Sequence, residues 1–278
     1  MLACHSGWEP APQQTPPATT LLAVGDVHGC EAHLQAMERV LATAIAEAGR
    51  LGRRAEVVML GDYIDRGPSS LGVLRRLAAI DRRLGVPVHR LLGNHDQLLL
   101  ECLRPQPDPA VLALWLANGG GTVLAECGIG AVDPGDADPA AIAARLRARI
   151  GPESMGLLEA LRLGWPSGGY LFAHAGVQPA QPLATQQASE LIWVREPFLT
   201  GAGWLHDFAV VHGHTPLGPD VRSHRIGVDS GCFRTGALTA VELADDRLRF
   251  HVVADAADPD RLAAALPSDQ PRRFARSS

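Results

Sequence analysis

Short hydrophobic runs alternate with amphipathic stretches along the first third of the chain. Runs at 21–24, 56–60 and 86–92 have the length of buried strands, and the hydrophobic positions over 31–48 and 69–84 follow helical spacing. Helical crossovers between consecutive strands require parallel pairing, and parallel strands are usually covered on both faces. The pattern therefore predicts a layered α/β core.

The remainder of the chain changes from helix to strand. Residues 140–150 and 155–163 are rich in helix formers and predict two helices. Short hydrophobic runs then predict strands at 170–173, 191–194, 209–211, 225–228, 237–243 and 248–253. We expect a Pro-rich disordered leader over 1–20, a single domain over 21–255 and a frayed C-terminal tail over 256–278.

Composition and charge narrow the possible functions. The 278 residues are 46% hydrophobic and carry a formal net charge of -5, so no basic surface for nucleic acid is expected. No hydrophobic run is long enough to cross a bilayer, so we expect no membrane association. All 25 basic residues are Arg, which excludes Walker-type and Schiff-base lysine chemistry. Five cysteines without a CxxC spacing predict reduced thiols in a cytoplasmic protein.

Polar clusters follow the first three predicted strands directly. They are 25–29 (GDVHG), 61–67 (GDYIDRG) and 93–96 (GNHD). The carboxyl ends of parallel strands share one edge of a sheet, so the three clusters are expected to meet. His174 and His214 also follow hydrophobic runs in the second half. Asp, Asn and His side chains together suit Mn, Fe, Zn or a similar divalent ion.

Each cluster taken alone has a simpler explanation. Gly-Asp pairs are frequent in turns, and Asn94 can cap a helix that begins near His95. An isolated His174 or His214 is more often a hydrogen-bonded residue at a strand end. The joint occurrence of all five clusters, each at a predicted strand end, favours a metal site.

These motifs resemble those of the calcineurin-like metallophosphoesterases and, within them, of the phosphoprotein phosphatase branch. The resemblance extends over residues 21–253, and the segments 193–197 (WVREP) and 227–233 (GVDSGCF) are similar to bacterial serine/threonine phosphatases. It implies an α/β (α+β) fold with a central β-sandwich flanked by helices, in agreement with the hydrophobic pattern. It also implies that the domain over 21–255 is catalytic.

The resemblance implies a site with two divalent metal ions. Mn²⁺ is the usual activating ion of the bacterial members, and Fe or Zn suits the same ligands. The implied ligands are Asp26, His28 and Asp62 for one ion and Asp62, Asn94, His174 and His214 for the other. The implied catalytic residues are Arg66 and Arg195, which bind the phosphoryl oxygens, His95, which protonates the leaving group, and Asp65, which orients His95. A hydroxide shared by the two ions would be the nucleophile.

The implied activity is hydrolysis of phosphoserine or phosphothreonine in a protein or peptide, by a monomeric enzyme. The alternative is a diadenosine tetraphosphatase-like hydrolase of dinucleoside polyphosphates. Asp96 points to the alternative, because most phosphoprotein phosphatases have Glu there and diadenosine tetraphosphatases have Asp. Asp65 points away from it, because their motif resembles GDLVARG, with Ala at that position. We give Asp65 more weight, and the aromatic content of 5% also disfavours an adenine pocket.

Three further hypotheses receive less support. A metal-binding scaffold without activity should lack a ligand or the acid, and neither is missing from the motifs. A nucleic-acid phosphodiesterase should carry a basic stripe, which the acidic balance argues against. His212, just before the last metal motif, is interpreted as a core histidine or one that supports a metal ligand, rather than as a ligand itself.

Overall fold

Two β-sheets form the centre of the structure, a computed structural model that describes residues 1–133, 135, 137–255 and the backbone of 273–275. The first sheet contains β1 (Leu2–His5), β2 (Glu9–Pro10), β3 (Thr19–Val24), β4 (Arg54–Met59), β5 (Val88–Arg90), β11 (Ala237–Ala244), β12 (Arg247–Ala254) and β13 (Arg273–Ala275). The second sheet contains β6 (Gly164–Ser167), β7 (Tyr170–Ala173), β8 (Ala209–His212), β9 (Asp220–Val221) and β10 (Arg225–Gly227).

The pairing within each sheet is mixed. The first sheet has the order β13-β1-β12-β11-β3-β4-β5, with β2 beside β12, and the second has the order β6-β7-β8-β10-β9. Strands β3, β4 and β5 pair in parallel, as do β7, β8 and β10. In each set of parallel strands the carboxyl ends lie at the same edge of the sheet, and the candidate site lies where these two edges meet.

Helices connect the strands and cover the first sheet. They are α1 (Glu31–Arg50), α2 (Ser70–Ala78), α3 (Ile80–Leu84), α4 (Asn94–Cys102), α5 (Pro109–Trp115), α6 (Gly121–Glu126), α7 (Pro139–Glu159), α8 (Ala188–Trp193) and α9 (Cys232–Thr235). A π-helical turn at Leu116–Gly120 joins α5 to α6, and a 3₁₀ turn lies at Leu183–Thr185. The helix α7 is interrupted at Gly151, whose φ of 78° is not helical.

Side-chain alternation along the strands builds the layers. In β3, Leu22 and Val24 belong to the core shared with α1, whereas Leu21 and Ala23 face a second core with Phe172 of β7. A smaller cluster covers the far side of the second sheet. Strands that are covered on both faces read as continuous hydrophobic runs, as observed for β3. The predicted α/β sandwich flanked by helices is confirmed.

The expected disordered leader over 1–20 is wrong, because much of this segment is paired. Residues 2–5 form β1 along β12, with Cys4 opposite Val252. The hydroxyl of Tyr170 also donates to the carbonyl of Gln13 at 2.6 Å. Proline-rich composition suggested disorder, but β12 has backbone groups that β1 satisfies. Of the predicted tail, 256–272 and 276–278 lie outside the described residues, whereas the backbone of 273–275 pairs with β1.

The strand expected at 191–194 is also wrong, since these residues end the helix α8 and the turn after it. The carboxylate of Glu190 accepts from the backbone N–H of Gln187 at 2.6 Å and so caps the start of this helix. Among the described residues, no helix has the length and hydrophobicity required to cross a membrane.

Candidate active site

Five loops at strand ends converge on Asp62. Asp62 follows β4, and its carboxylate lies 3.5 Å from Nε2 of His28, which follows β3. It lies 3.9 Å from Nε2 of His95, after β5, and 3.4 Å from Nε2 of His174, after β7. His214, after β8, joins Asp62 and His174 in one compact group of ligand atoms. The parallel pairing predicted for β3, β4 and β5 brings three of these loops together, and the parallel pairing of β7 with β8, which the sequence did not predict, brings the other two.

Hydrogen bonds fix which histidine nitrogens face the centre. His174 Nδ1 lies 2.8 Å from the carbonyl of Leu60 and donates to it, so its Nε2 points towards the oxygens of Asn94, at 3.1 Å, and Asp62. His28 Nδ1 similarly donates to the carbonyl of Ile64 at 2.8 Å. In both rings Nε2 is therefore the nitrogen that faces the cluster: in His174 it faces amide and carboxylate oxygens, and in His28 it lies between Asp62 and Arg66.

The donor set fits a divalent metal. Neutral His174 would place a nitrogen lone pair against two oxygens, an arrangement that a cation between them would stabilise. Nε2 of His214 is buried without a hydrogen-bond partner, although Nδ1 of the same ring lies 2.9 Å from Asn94 Oδ1. Such orphaned buried atoms in a cluster of Asp, Asn and His are typical of metal ligands.

Carboxylates crowd the other side of the cluster. Burial, with the charges of Asp229 and Asp62, raises the pKa of Asp26 well above its usual range. Asp26 is also hydrogen-bonded to Asp229 and accepts from the backbone N–H of His214 at 3.0 Å. Burial alone would raise the pKa of Asp62 too, but the neighbouring histidines His174 and His95 hold it well below its usual range. A dication would relieve the repulsion between these carboxylates.

A buried dyad lies beside this cluster. His95 Nδ1 donates to Asp65 Oδ2 at 2.7 Å, and the indole N–H of Trp115 contacts both Asp65 oxygens at 3.0 Å. Burial raises the pKa of Asp65, and the hydrogen bonds from His95 and Trp115 offset part of that shift. The dyad fixes the tautomer and orientation of His95, whose Nε2 faces the cavity.

Arg66 spans the cavity side of two imidazoles. Its Nη1 lies 2.9 Å from Nε2 of His28, and its Nη2 lies 2.9 Å from Nε2 of His95. The guanidinium also packs 4.8 Å from the ring centre of Phe233. Since Arg66 is exposed, its side chain is able to turn from the imidazoles towards an anion in the cavity.

A cavity of about 430 Å³ opens above the cluster. Its lining includes three arginines, Arg66, Arg195 and Arg234, and two aromatic rings, Trp193 and Phe233. The size falls within the range of small-molecule sites, and the three guanidiniums favour a phosphorylated ligand. Asp62, Asn94, His95 and His214 form its floor.

Asp96 lies beneath the site and does not line the cavity. Its carboxylate accepts from the backbone N–H groups of Asp62 at 2.8 Å, Tyr63 at 3.1 Å and Gly93 at 3.0 Å. Two motif loops are therefore joined through one side chain. The choice of Asp or Glu at this position bears on how the loops are held, which weakens its value as an indicator of substrate.

The loops have an unusual backbone. Seven described residues other than glycine have a positive φ, and five of them carry candidate site side chains: His28, Asp62, Asp65, Arg66 and His214. Glycines enable the close contacts between loops, since a Cβ on Gly67 would overlap the carbonyl of His28 and one on Gly93 would overlap Asp62. Conformational strain of this kind is typical of functional sites.

The structure brings all ten predicted site residues to one place, the catalytic as well as the metal-binding candidates. His212 stays out of the cluster, because its Nδ1 contacts the carbonyl of Gly213 at 2.9 Å and its Nε2 faces Arg225. Sequence reasoning missed Trp115, Asp229 and Arg234. Asp229 carried the same signal as the other ligand candidates, since it lies between a strand and a glycine, whereas nothing local marked Trp115.

Buried Asp, Asn and His side chains under a cavity lined with arginine define the site of a metal-dependent phosphoesterase. A model of the calcineurin-like phosphoesterase family matches residues 19–251. The chain therefore belongs to the calcineurin-like phosphoesterases, a family of hydrolases that use divalent metal ions.

Curated relatives carry the name symmetrical bis(5'-nucleosyl)-tetraphosphatase. The protein from Acidovorax sp. (strain JS42) is 45% identical over 80 residues, 29% of this chain and 25% of that protein. The protein from Burkholderia mallei (strain SAVP1) is 27% identical over 275 residues, 81% of this chain and 90% of that protein. The alignment with the first of these relatives thus spans a quarter of its length.

Solved structures support the fold. One, provisionally identified as a diadenosine tetraphosphatase, superposes with a TM-score of 0.52 at 24% identity over 82% of this chain and 90% of that chain. A Saccharomyces cerevisiae protein serine/threonine phosphatase, described as similar to human phosphatase PP5, gives a TM-score of 0.50 at 13% identity over 94% of this chain and 81% of that chain.

Proposed function

We propose that the protein is a two-metal phosphomonoesterase acting on phosphoserine and phosphothreonine side chains. The observation that supports this assignment is the buried dyad of His95 and Asp65 at the edge of the cavity. An alkoxide is a poor leaving group and needs a proton as the P–O bond breaks. A histidine oriented by a carboxylate is suited to supply it.

The metal ligands in this proposal are Asp26, His28, Asp62, Asn94, His174 and His214. Two divalent ions held there, for which we expect Mn²⁺ with Fe or Zn as alternatives, would polarise the phosphoryl group and activate water. Asp62 lies between the two sets of donors, within 4 Å of three imidazoles, and would serve both ions.

The remaining steps belong to cavity side chains. Arg66 and Arg195 hold the phosphoryl oxygens and neutralise charge that develops on them. In the structure Nε2 of His95 accepts from Arg66 and so carries no proton; once Arg66 has turned away, Nε2 would take up a proton from solvent and give it to the departing oxygen, while Nδ1 remains hydrogen-bonded to Asp65. Arg66 contacts the same Nε2, so its turn towards the phosphoryl group would free that nitrogen for the leaving group.

A second candidate is hydrolysis of dinucleoside tetraphosphates, and the comparisons support it more directly than the first. The relatives are named for that activity, and one of them aligns over 81% of this chain. The cavity also offers Trp193 and Phe233 as surfaces for a base and Arg234 as a further partner for phosphate. These two rings weaken the argument from low aromatic content.

The test compares protein loaded with Mn²⁺ on a phosphothreonine peptide and on diadenosine tetraphosphate. We expect a higher kcat/KM on the peptide. In the variant His95→Asn, kcat on the peptide should fall by about 10²–10⁴, with a smaller loss on nitrophenyl phosphate, whose leaving group needs no proton. The matched control is His224→Asn, because the imidazole of His224 packs on Phe198 outside the cavity.

The variant Asp65→Ala separates the two candidates. It removes the partner of His95, so the peptide rate should fall while diadenosine tetraphosphate, which releases a stable nucleotide anion, is affected less. A wild-type preference for diadenosine tetraphosphate that Asp65→Ala leaves unchanged would assign the protein to the second candidate. The metal content of each variant should also be measured, because equal metal content means that a change in rate comes from the proton donor His95.

A further inference from the structure

A second group of metal-ligating side chains lies outside the catalytic cluster. Cys30, His33 and Cys232 are all buried, and one donor atom from each lies within 4.8 Å of the others. The two thiols hydrogen-bond to each other. Of the three ligand clusters found in the described part of the chain, this is the one that contains sulfur.

The cluster joins three segments that are distant in sequence. Cys30 directly precedes α1, and His33 lies in the first turn of that helix. Cys232 is the first residue of α9. Asp255, directly after β12, places Oδ1 3.6 Å from Nε2 of His33. A metal ion bound by all of these residues would hold the starts of two helices and the end of a strand together.

The donor types are those of a structural zinc site. Two thiols, one imidazole and a carboxylate supply four ligands, and tetrahedral zinc takes Cys, His and Asp in such combinations. With bonds of about 2.0–2.3 Å, tetrahedral ligand atoms lie about 3.3–3.8 Å apart, so the donor atoms of Cys30, His33 and Cys232, which lie within 4.8 Å of one another, need a contraction of about 1.5 Å at most. Sulfur donors also favour Zn over Mn, which keeps this site chemically distinct from the catalytic one.

Surroundings of the cluster agree with this assignment. The carbonyl of Gly236 lies 3.0 Å from Nε2 of His33 and accepts from it, so Nδ1 is the nitrogen that would bind the ion, and a backbone carbonyl commonly orients a ligating histidine in this way. The carboxylate of Asp255 acts electrostatically on both thiols, and its side chain is 59% exposed, so it is able to turn inwards. The cluster thus has an open side through which an ion can enter.

We propose that Cys30, His33, Cys232 and Asp255 form a structural zinc site that clamps α9 to the start of α1. Phe233 and Arg234, which follow Cys232 directly, line the catalytic cavity. The zinc would therefore hold one wall of that cavity in place without touching the substrate. This inference is independent of which phosphoester the enzyme cleaves.

Cobalt provides a test that does not depend on activity. Full-length protein is kept reduced with a phosphine and titrated with Co²⁺, which gives a near-ultraviolet charge-transfer band when thiolate is a ligand. We expect a band whose final intensity corresponds to one thiolate-bound cobalt per chain, in addition to the cobalt taken up by the catalytic cluster, and which Zn²⁺ bleaches. The oxygen and nitrogen donors of the catalytic cluster cannot produce it.

Matched variants locate the signal. Cys232→Ser should abolish the band, whereas Cys127→Ser, at another buried thiol, and Asp26→Asn, in the catalytic cluster, should retain it. If Cys232→Ser does not fold, His33→Gln should still weaken cobalt binding by about tenfold or more. Absence of the band from reduced wild-type protein, or its persistence in Cys232→Ser with unchanged affinity, would overturn the proposal.

Discussion

Asp96 offers a quantitative test of how the active-site loops are held. Its carboxylate accepts three backbone N–H bonds, two at Oδ2 from Asp62 and Gly93 and one at Oδ1 from Tyr63. The side chain is fully buried, so the variant Asp96→Ala would leave three donors without a partner. Each unsatisfied buried donor costs about 1–3 kcal/mol, and water entering the vacated space would relieve part of the sum.

We therefore expect Asp96→Ala to lose about 3–5 kcal/mol of unfolding free energy, a large part of the 5–15 kcal/mol or so that is typical of a folded protein. Asp96→Asn keeps one acceptor oxygen and can preserve both bonds at the Oδ2 position. This variant should lose the unfolding free energy that corresponds to one unsatisfied donor, about 1–3 kcal/mol. The wild type should thus be the most stable, Asp96→Asn less stable and Asp96→Ala the least stable.

The assay is urea unfolding of metal-free protein, with the slope against urea compared among variants. A loss below about 1 kcal/mol for Asp96→Ala, at constant slope, would refute the idea that this carboxylate joins the loops. A companion variant, Asp96→Glu, should leave the ratio of peptide to diadenosine tetraphosphate turnover unchanged, because the side chain lies beneath the cavity floor.

Three further outcomes are expected. Trp115→Phe removes the N–H that contacts both oxygens of Asp65, so kcat on an alkyl phosphomonoester should fall by about tenfold with KM unchanged, as steady-state kinetics would show. Asp62→Asn should remove both equivalents of Mn²⁺ that the wild type binds after reconstitution, measured by elemental analysis after gel filtration, whereas retention of two equivalents of Mn²⁺ would exclude Asp62 as a shared ligand. Stability should fall as pH drops from about 7 to 5, because burial lowers the pKa of His251 and the unfolded chain takes up a proton near pH 6.5 that the folded protein rejects. Its neighbour Glu242, whose pKa is held low despite burial by the hydrogen bonds from His251 and Arg249, adds to that loss at still lower pH. Thermal unfolding across this range should show a weaker pH dependence in His251→Gln.

Local patterns in the sequence predicted most of the site. The motifs around Asp26, Asp62 and Asn94 follow hydrophobic runs that the sequence predicts as buried strands, and parallel pairing brings their ends together. The histidines at 174 and 214 were found by the same rule. These inferences depended on short-range periodicity, which the folded chain preserves.

Contacts between distant segments could not be predicted in this way. Trp115 reaches Asp65 across 50 positions of sequence, and only the packing of α5 against the site loops makes that contact. The pairing of β1 with β12 spans almost the whole chain, so its proline-rich surroundings suggested disorder instead. At 191–194 a short hydrophobic run suited a strand or a helix equally, and the cap supplied by Glu190 settled the outcome.

A left-handed backbone conformation lowers the stability of the fold at five residues that the proposed activity needs: His28, Asp62, Asp65, Arg66 and His214. Each such residue costs of order 1–3 kcal/mol, whereas glycine adopts the same backbone with little strain. Selection for thermal stability alone would therefore favour glycine at the positions that carry the chemistry. Variants enriched in such a selection should be more stable and inactive. The strain in these loops is therefore the stability that the fold loses by having functional side chains, rather than glycine, at these positions.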